Sequence, residues 1–314
     1  MMLIDFFHNL YNATFKWSSP WLNRIRLPAV LRLMILLTAN IIIPLVFKVQ
    51  HRNSKYHLAN TDNSETKTGF TVSLTSFPQR IDKVYLVIES ILRQTEIPSR
   101  IVLWLSKEQF NSIELLPKNL LKLRSRGLDI KLTAGDLRSF KKYYYLLKEQ
   151  PTVNFIIVDD DIFYPSNVLR NLIETHKKYP TAVCANRCYQ IESSKSYNDW
   201  KLLRGEGSQP RTDLLPTGCG GVLYPESSLP SDAINKDLFT ALCKDADDIW
   251  LNCTAYSNGT KFVYTGKNEY LLSVRSKNNV HLHTKNVGNS YNDLRIKMVR
   301  DYYLKEYKIN IMER

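Results

Sequence analysis

Acidic side chains are almost missing from the first 58 residues of this 314-residue chain. Asp5 stands alone there against Lys16, Arg24, Arg26, Arg32, Lys48, Arg52 and Lys55, so the segment carries +6 of the formal net charge of +13. Cysteine is scarce as well. Cys184, Cys188, Cys219, Cys243 and Cys253 form no CxxC pair, which speaks against a disulfide scaffold or a zinc module and for free thiols in a reducing compartment. No Gly-Lys-Ser/Thr follows a glycine-rich stretch, so a Walker A loop is excluded. Neither zinc-finger spacing nor interleaved basic and aromatic residues is present, so the positive charge is not read as a nucleic-acid surface.

What the N-terminus does contain is apolar. Leu27 to Phe47 is a run of 21 residues interrupted by Arg32, Asn40 and Pro44. A spanning helix needs about 20 mostly apolar residues, and the stretch after Arg32 is shorter than that. Upstream, Phe, Trp and Tyr lie among basic residues, a composition suited to a membrane interface. Residues 1–58 are therefore expected to be a membrane-associating segment, either a shallow or re-entrant anchor or a single span, with a buried helix packed on the domain as the alternative, and residues 59–69 a linker. Asn12, Asn252 and Asn258 each begin an Asn-x-Thr pattern, which matters only if the chain is lumenal.

From Phe70 onward, strand-like and helix-like segments alternate. Phe70–Thr75, Arg100–Leu105, Leu128–Leu132, Phe155–Val158, Thr181–Ala185 and Lys261–Tyr264 read as strands. Ile81–Leu92, Phe140–Glu149, a helix capped by Ser166 and ending at Lys178, one opening near Asp245, and Tyr291–Tyr307 read as helices. Glu192–Asp213 reads as a long loop. This order predicts an α/β fold, a mostly parallel sheet with helices on both faces, and such sheets bind ligands beyond the carboxyl ends of their strands.

One strand of that sheet ends abruptly in charge. Phe155-Ile156-Ile157-Val158 is followed by Asp159-Asp160-Asp161. Three adjacent carboxylates repel one another, so holding them at the end of a buried strand calls for a cation. Hard oxygen ligands presented in this way suit a divalent metal. Two later segments add to the picture. Gly218-Cys219-Gly220-Gly221 implies close backbone approach or tight turning, and Asp245-Ala246-Asp247-Asp248-Ile249-Trp250 opens a helix with carboxylates.

The ordered set TVSLTSFPQRI, LRSFKKYYYLL, DDD with its aromatic-proline turn, and GCGGVLYP followed by DADDIWL resembles the nucleotide-sugar-dependent glycosyltransferases of the GT-A fold. It is most similar to the bacterial, family 2-like enzymes that build capsular or lipopolysaccharide glycans. The resemblance covers residues 70–276 and implies a Rossmann-like GT-A domain there, with residues 277–314 completing the site. It implies a UDP-sugar donor, Mn2+ or Mg2+, and a glycan or lipid-linked acceptor, with hexosyl or N-acetylhexosaminyl transfer at the cytoplasmic face of a bacterial inner membrane.

The resemblance also distributes roles. Asp161, Asp159 and His283 would hold the metal, with His281 competing for the last place. Asp159 and Asp160 would touch the donor. Lys141 and Lys142 would meet the diphosphate, and Arg80 the nucleotide. Asp248, or else Asp247, would be the base of an inverting reaction. Gly218, Gly220 and Gly221 would shape the acceptor side, and Trp250 would either stack on the acceptor or belong to the core. Two other classes compete: a metal-dependent phosphohydrolase, disfavoured by Phe163 at the position where such loops carry Thr or Val, and a non-catalytic, membrane-associated sugar- or nucleotide-binding protein.

Overall fold

The computed structural model describes residues 3–17, 21, 24–50, 58, 69–276 and 291–311. Two helices come first, α1 (Leu3–Ala13) and α2 (Leu27–Gln50). The alternating region follows: β1 (Thr71–Thr75), α3 (Ile81–Leu92), β2 (Arg100–Ser106), the short α4 (Lys118–Leu121), β3 (Leu128–Thr133), α5 (Lys141–Glu149), β4 (Phe155–Ile157), β5 (Ile162–Phe163), α6 (Val168–Lys178) and β6 (Val183–Ala185). Next come β7 (Cys188–Gln190), β8 (Lys201–Leu202), β9 (Leu214–Pro216), β10 (Val222–Tyr224), α7 (Lys236–Leu242), α8 (Asp247–Ser257), β11 (Phe262–Tyr264), β12 (Leu272–Ser273) and α9 (Tyr291–Tyr307).

Seven strands form the main sheet, in the order β11-β6-β10-β4-β1-β2-β3. All neighbours are parallel except β10, which runs antiparallel to both β4 and β6. The fold is thus α/β with a largely parallel central sheet. Successive side chains on a strand point to opposite faces, and here both faces are apolar. Ile156 and Val158 join one core with residues of α2, α3 and α6, while Phe155 and Ile157 join the other with residues of α5 and α8. That double burial is why β4 reads as an unbroken apolar run instead of an alternating one.

Strand register brings the sheet's carboxyl edge into focus. Ser73 of β1 is level with Ile157 of β4. Three residues further along both parallel chains, Ser76 therefore comes level with Asp160. The Ser76 hydroxyl donates to Asp160 Oδ2 at 2.6 Å, so the acidic triplet leaves the sheet directly beside the turn after β1.

The structure corrects several expectations. Residues 192–213 are no free loop: β8 pairs with β7, and β7 with β9, in a small antiparallel sheet. Ser166 does not cap α6. Its amide and hydroxyl are both held by Asp5 of α1, each at 2.8 Å. The Asn-x-Thr patterns sit in engaged side chains. Asn12 exchanges hydrogen bonds with the backbone of Tyr270, and Asn252 is buried and donates to the Leu214 carbonyl at 2.7 Å. Asn258 donates to the Ser227 carbonyl at 2.9 Å. α9 packs its Val299 and Tyr303 into the same core as α8.

Of the two readings open for Trp250, acceptor side or core, the structure gives the core. Trp250 is fully buried, packs edge-on against Phe239, and donates from its indole nitrogen to the Ala233 carbonyl at 3.0 Å. Trp250→Ala should therefore cost about 3–5 kcal/mol of stability through the cavity it leaves. Urea unfolding of the two proteins, read by circular dichroism, checks this as a large drop in midpoint.

Candidate active site

The triplet does not act as one cluster. Asp160 is 7% exposed and takes Ser76 on one oxygen and Arg80 on the other, at 2.6 Å. Asp161, 23% exposed, pairs with the second guanidinium nitrogen of Arg80 at 3.0 Å. Asp159 is 34% exposed and turns the other way, to Lys142 Nζ at 3.0 Å, while its amide donates to the Tyr164 hydroxyl at 2.9 Å. The chain has already left β4 and turns at Asp160 and Asp161, which places those two side by side on Arg80 and leaves Asp159, just before the turn, on Lys142. Arg80, at the start of α3, lies over the Phe77 ring and spans two of the three carboxylates.

Lys142 is the second neutralising group. It is buried in the first turn of α5, and its ammonium also meets Asp247 Oδ2 of α8 at 2.8 Å. The two acidic segments of the sequence thus converge on one lysine. Asp248 follows on α8 and accepts the Gly218 amide at 3.1 Å. A side chain at Gly218 would push on the charged groups, since a Cβ there would lie 2.9 Å from Lys142 Nζ, 3.2 Å from Asp159 Oδ1 and 3.3 Å from Asp248 Oδ1. Its lack of a Cβ lets the turn approach both carboxylates.

Electrostatics follow from burial. Asp248 has its pKa pushed up to about 8, first by desolvation and then by the neighbouring Asp247 charge, with Lys142 opposing. Asp161 is raised to about 7, again mainly by burial with Arg80 opposing. Asp160 is raised for the same reasons. Burial penalises the Lys142 ammonium, yet the charges of Asp159, Asp247 and Asp248 outweigh that penalty and drive its pKa well above the usual range.

Not every expected residue reaches this place. Lys141 turns away and pairs with Asp136 at 2.6 Å. Gly220 packs against Arg187, whose Cβ would lie 2.6 Å from an added methyl, and Gly221 turns with φ +85° against Val168 and Leu172. His281 and His283 lie outside the described residues. Among the described residues no group of three His, Cys, Asp or Glu side chains is placed to hold a metal. Among the described residues, Asp161 and Asp159 do not by themselves fit the expected Mn2+ or Mg2+ site, because the two carboxylates are paired apart, one with Arg80 and the other with Lys142.

Several neighbours went unrecognised in the sequence. Ser76 carried no signal beyond its place after a strand. Arg187 bonds the Thr217 hydroxyl at 2.8 Å and the Tyr189 hydroxyl at 2.9 Å, and its guanidinium lies over the Tyr189 ring. Tyr197 packs on Tyr189, and its phenol is raised by burial and by the charge of Asp248. Cys219 is raised to about 11 by burial. Arg187, Tyr189 and Tyr197 thus form an aromatic and cationic cluster at β7 and the segment after it, with Tyr197 near enough to Asp248 to feel its charge.

One solved structure is similar in arrangement. It is a mannosyltransferase from Pyrobaculum calidifontis in complex with GDP-Man and Mn2+, with 11% identity, a TM-score of 0.44, and coverage of 87% of this chain and 75% of that one. This is a weak, partial match, and it assigns no residue here. No family model and no curated protein matches the chain.

The raised carboxylates fix the sign of the pH dependence of stability. An unfolded aspartate titrates near about 3.9. Between that value and about 8, the folded chain holds a proton on Asp248 that the unfolded chain has lost. Stability from this group is therefore intact below pH about 4 and declines as pH rises towards 8. Asp161 acts in the same direction up to about 7. Urea midpoints should fall as pH rises from the unfolded value of about 3.9 towards about 8, and Asp248→Asn should flatten that slope.

Proposed function

We propose that this chain is a glycosyltransferase that moves a sugar from a nucleotide-sugar, of the UDP-sugar class, to a hydroxyl of a glycan or lipid-linked acceptor. The observation that carries the reading is the meeting of Asp248, Asp159 and Lys142 around Gly218. It lies at the carboxyl edge of a largely parallel sheet, where ligands of such folds bind.

Asp248 is the general base in this reading. A carboxylate with a pKa of about 8 is matched to abstracting a hydroxyl proton near neutral pH. It takes the acceptor proton as the acceptor oxygen bonds to the anomeric carbon. The bond from that carbon to the diphosphate oxygen breaks, and the diphosphate leaves with the electron pair, giving inversion. Lys142 and Arg80 supply the positive charge beside the leaving diphosphate, and Asp159, the most open of the triplet, faces the donor. The Arg187, Tyr189 and Tyr197 cluster stands on the acceptor side in this reading. A non-catalytic sugar-binding protein would have no use for a buried carboxylate whose titration is pushed up to about 8.

Asp248→Asn separates the readings. Transfer or hydrolysis, followed as nucleoside diphosphate release across a panel of UDP-, GDP- and CMP-sugars with Mn2+ and with chelator, should fall roughly a hundred- to ten-thousand-fold. Affinity for UDP, measured by titration calorimetry, should stay close to that of the unaltered protein. In the unaltered enzyme kcat/KM should rise with pH through about 8 as Asp248 loses its proton. Absence of turnover with every donor, or full turnover in Asp248→Asn, would overturn the assignment.

A further inference from the structure

The N-terminal helices are bolted to the folded domain along one face and leave the other bare. On α2, Ile35, Ala39, Ile43 and Phe47 form a buried stripe at four-residue spacing, and the Arg93 guanidinium lies over the Phe47 ring at 4.2 Å. Halfway along the helix, Asn40 Nδ2 donates to the Ser273 carbonyl at 3.0 Å, and Asn40 Oδ1 accepts the Arg275 amide at 2.8 Å. On α1, His8 Nε2 donates to the Phe163 carbonyl at 2.6 Å, and Asp5 holds Ser166. The apolar length of α2 is therefore not available as a free span. Threading it through a bilayer would carry Ser273 and Arg275 to the hydrocarbon centre with it.

The opposite face is open and apolar. Leu33, Met34, Leu37, Ile41 and Leu45 are exposed on α2, with Val49 at 73%, and Phe6 and Leu10 extend the surface on α1. Soluble surfaces scatter such residues singly, while a contiguous set marks an interaction site. Its rim names the partner. Lys16, Arg24, Arg26 and Lys48 are all exposed around it, and Trp17 and Trp21 stand among them, Trp21 at 65%. A second copy of the chain would bring two cationic rims together. A surface of phosphate headgroups complements the charge, and tryptophan favours that boundary.

We infer that α1 and α2 form a platform that docks the protein in the plane of an anionic lipid bilayer, with α2 lying along the surface instead of crossing it. This rests on the N-terminal surface and is independent of the transferase reading. The purified full-length chain should sediment with vesicles of phosphatidylcholine and phosphatidylglycerol in equal parts far more than with phosphatidylcholine alone, and less so as salt is raised. The exposed pair Ile41→Asp with Leu45→Asp should cut binding at least about tenfold. Arg24→Glu with Arg26→Glu should remove the preference for the anionic lipid, and circular dichroism should show both variants folded.

Fluorophores on Val30→Cys and Val49→Cys, placed near the two ends of α2, should report the same shallow depth from the same leaflet. Depths on opposite leaflets would overturn the in-plane arrangement. Equal binding to both vesicle types, or self-association without vesicle binding, would overturn the lipid assignment.

Discussion

One buried ammonium holds the site together. Lys142 Nζ joins Asp159, at the end of the sheet, to Asp247, at the start of α8. Its backbone is fixed equally firmly, because its carbonyl accepts the Ser73 hydroxyl from mid-β1, and Ser73 in turn accepts the Trp104 indole of β2 at 2.9 Å. A continuous path thus runs from the centre of the sheet, through the first turn of α5, to both acidic segments. A buried charge without a partner is costly. Three aspartates gathered without Lys142 would drive one another to take up protons, and the loop that carries Gly218 would lose the arrangement into which it fits.

Charge balance in the triplet has the same logic. The sequence implied that Asp159, Asp160 and Asp161 needed a cation nearby, and Arg80 and Lys142 occupy that role from within the chain. The division is unequal. Arg80 takes the two more buried carboxylates and locks them to the turn after β1, while Lys142 takes the open one. Two carboxylates are committed to building the sheet edge, and Asp159 is left the most exposed of the three.

Much of the scaffold was legible because local pattern and tertiary burial agree. Ile81–Leu92 and Tyr291–Tyr307 are helices with the bounds their sequence patterns indicate, and the strand ends fall within a residue or two. Legibility failed where side-chain direction decides the outcome. Lys141 and Lys142 are neighbours of equal chemistry, yet a helical step of about 100° sends one to Asp136 and the other into the site. Trp250 follows the acidic pair on α8, and the same geometry turns it into the core. The strands β7 to β9 are two or three residues each in a polar stretch, too short to give a periodic signal, so the cluster around Tyr189 could not be foreseen. Asp5 meeting Ser166 is a contact between distant parts of the chain that no local pattern encodes.

Asn40 has a reach beyond its own helix. It binds the Arg275 amide, and the adjoining Val274 amide donates to the Asp161 carbonyl at 2.7 Å. The N-terminal segment and the acidic edge are therefore consecutive links of one hydrogen-bonded strand margin. A chain trimmed at the apparent linker for the sake of solubility would strip Phe163, Ser166, Ser273 and Arg275 of their partners at once. The helices are better understood as a wall of the folded domain than as an appended anchor, and the two would melt as a single cooperative unit.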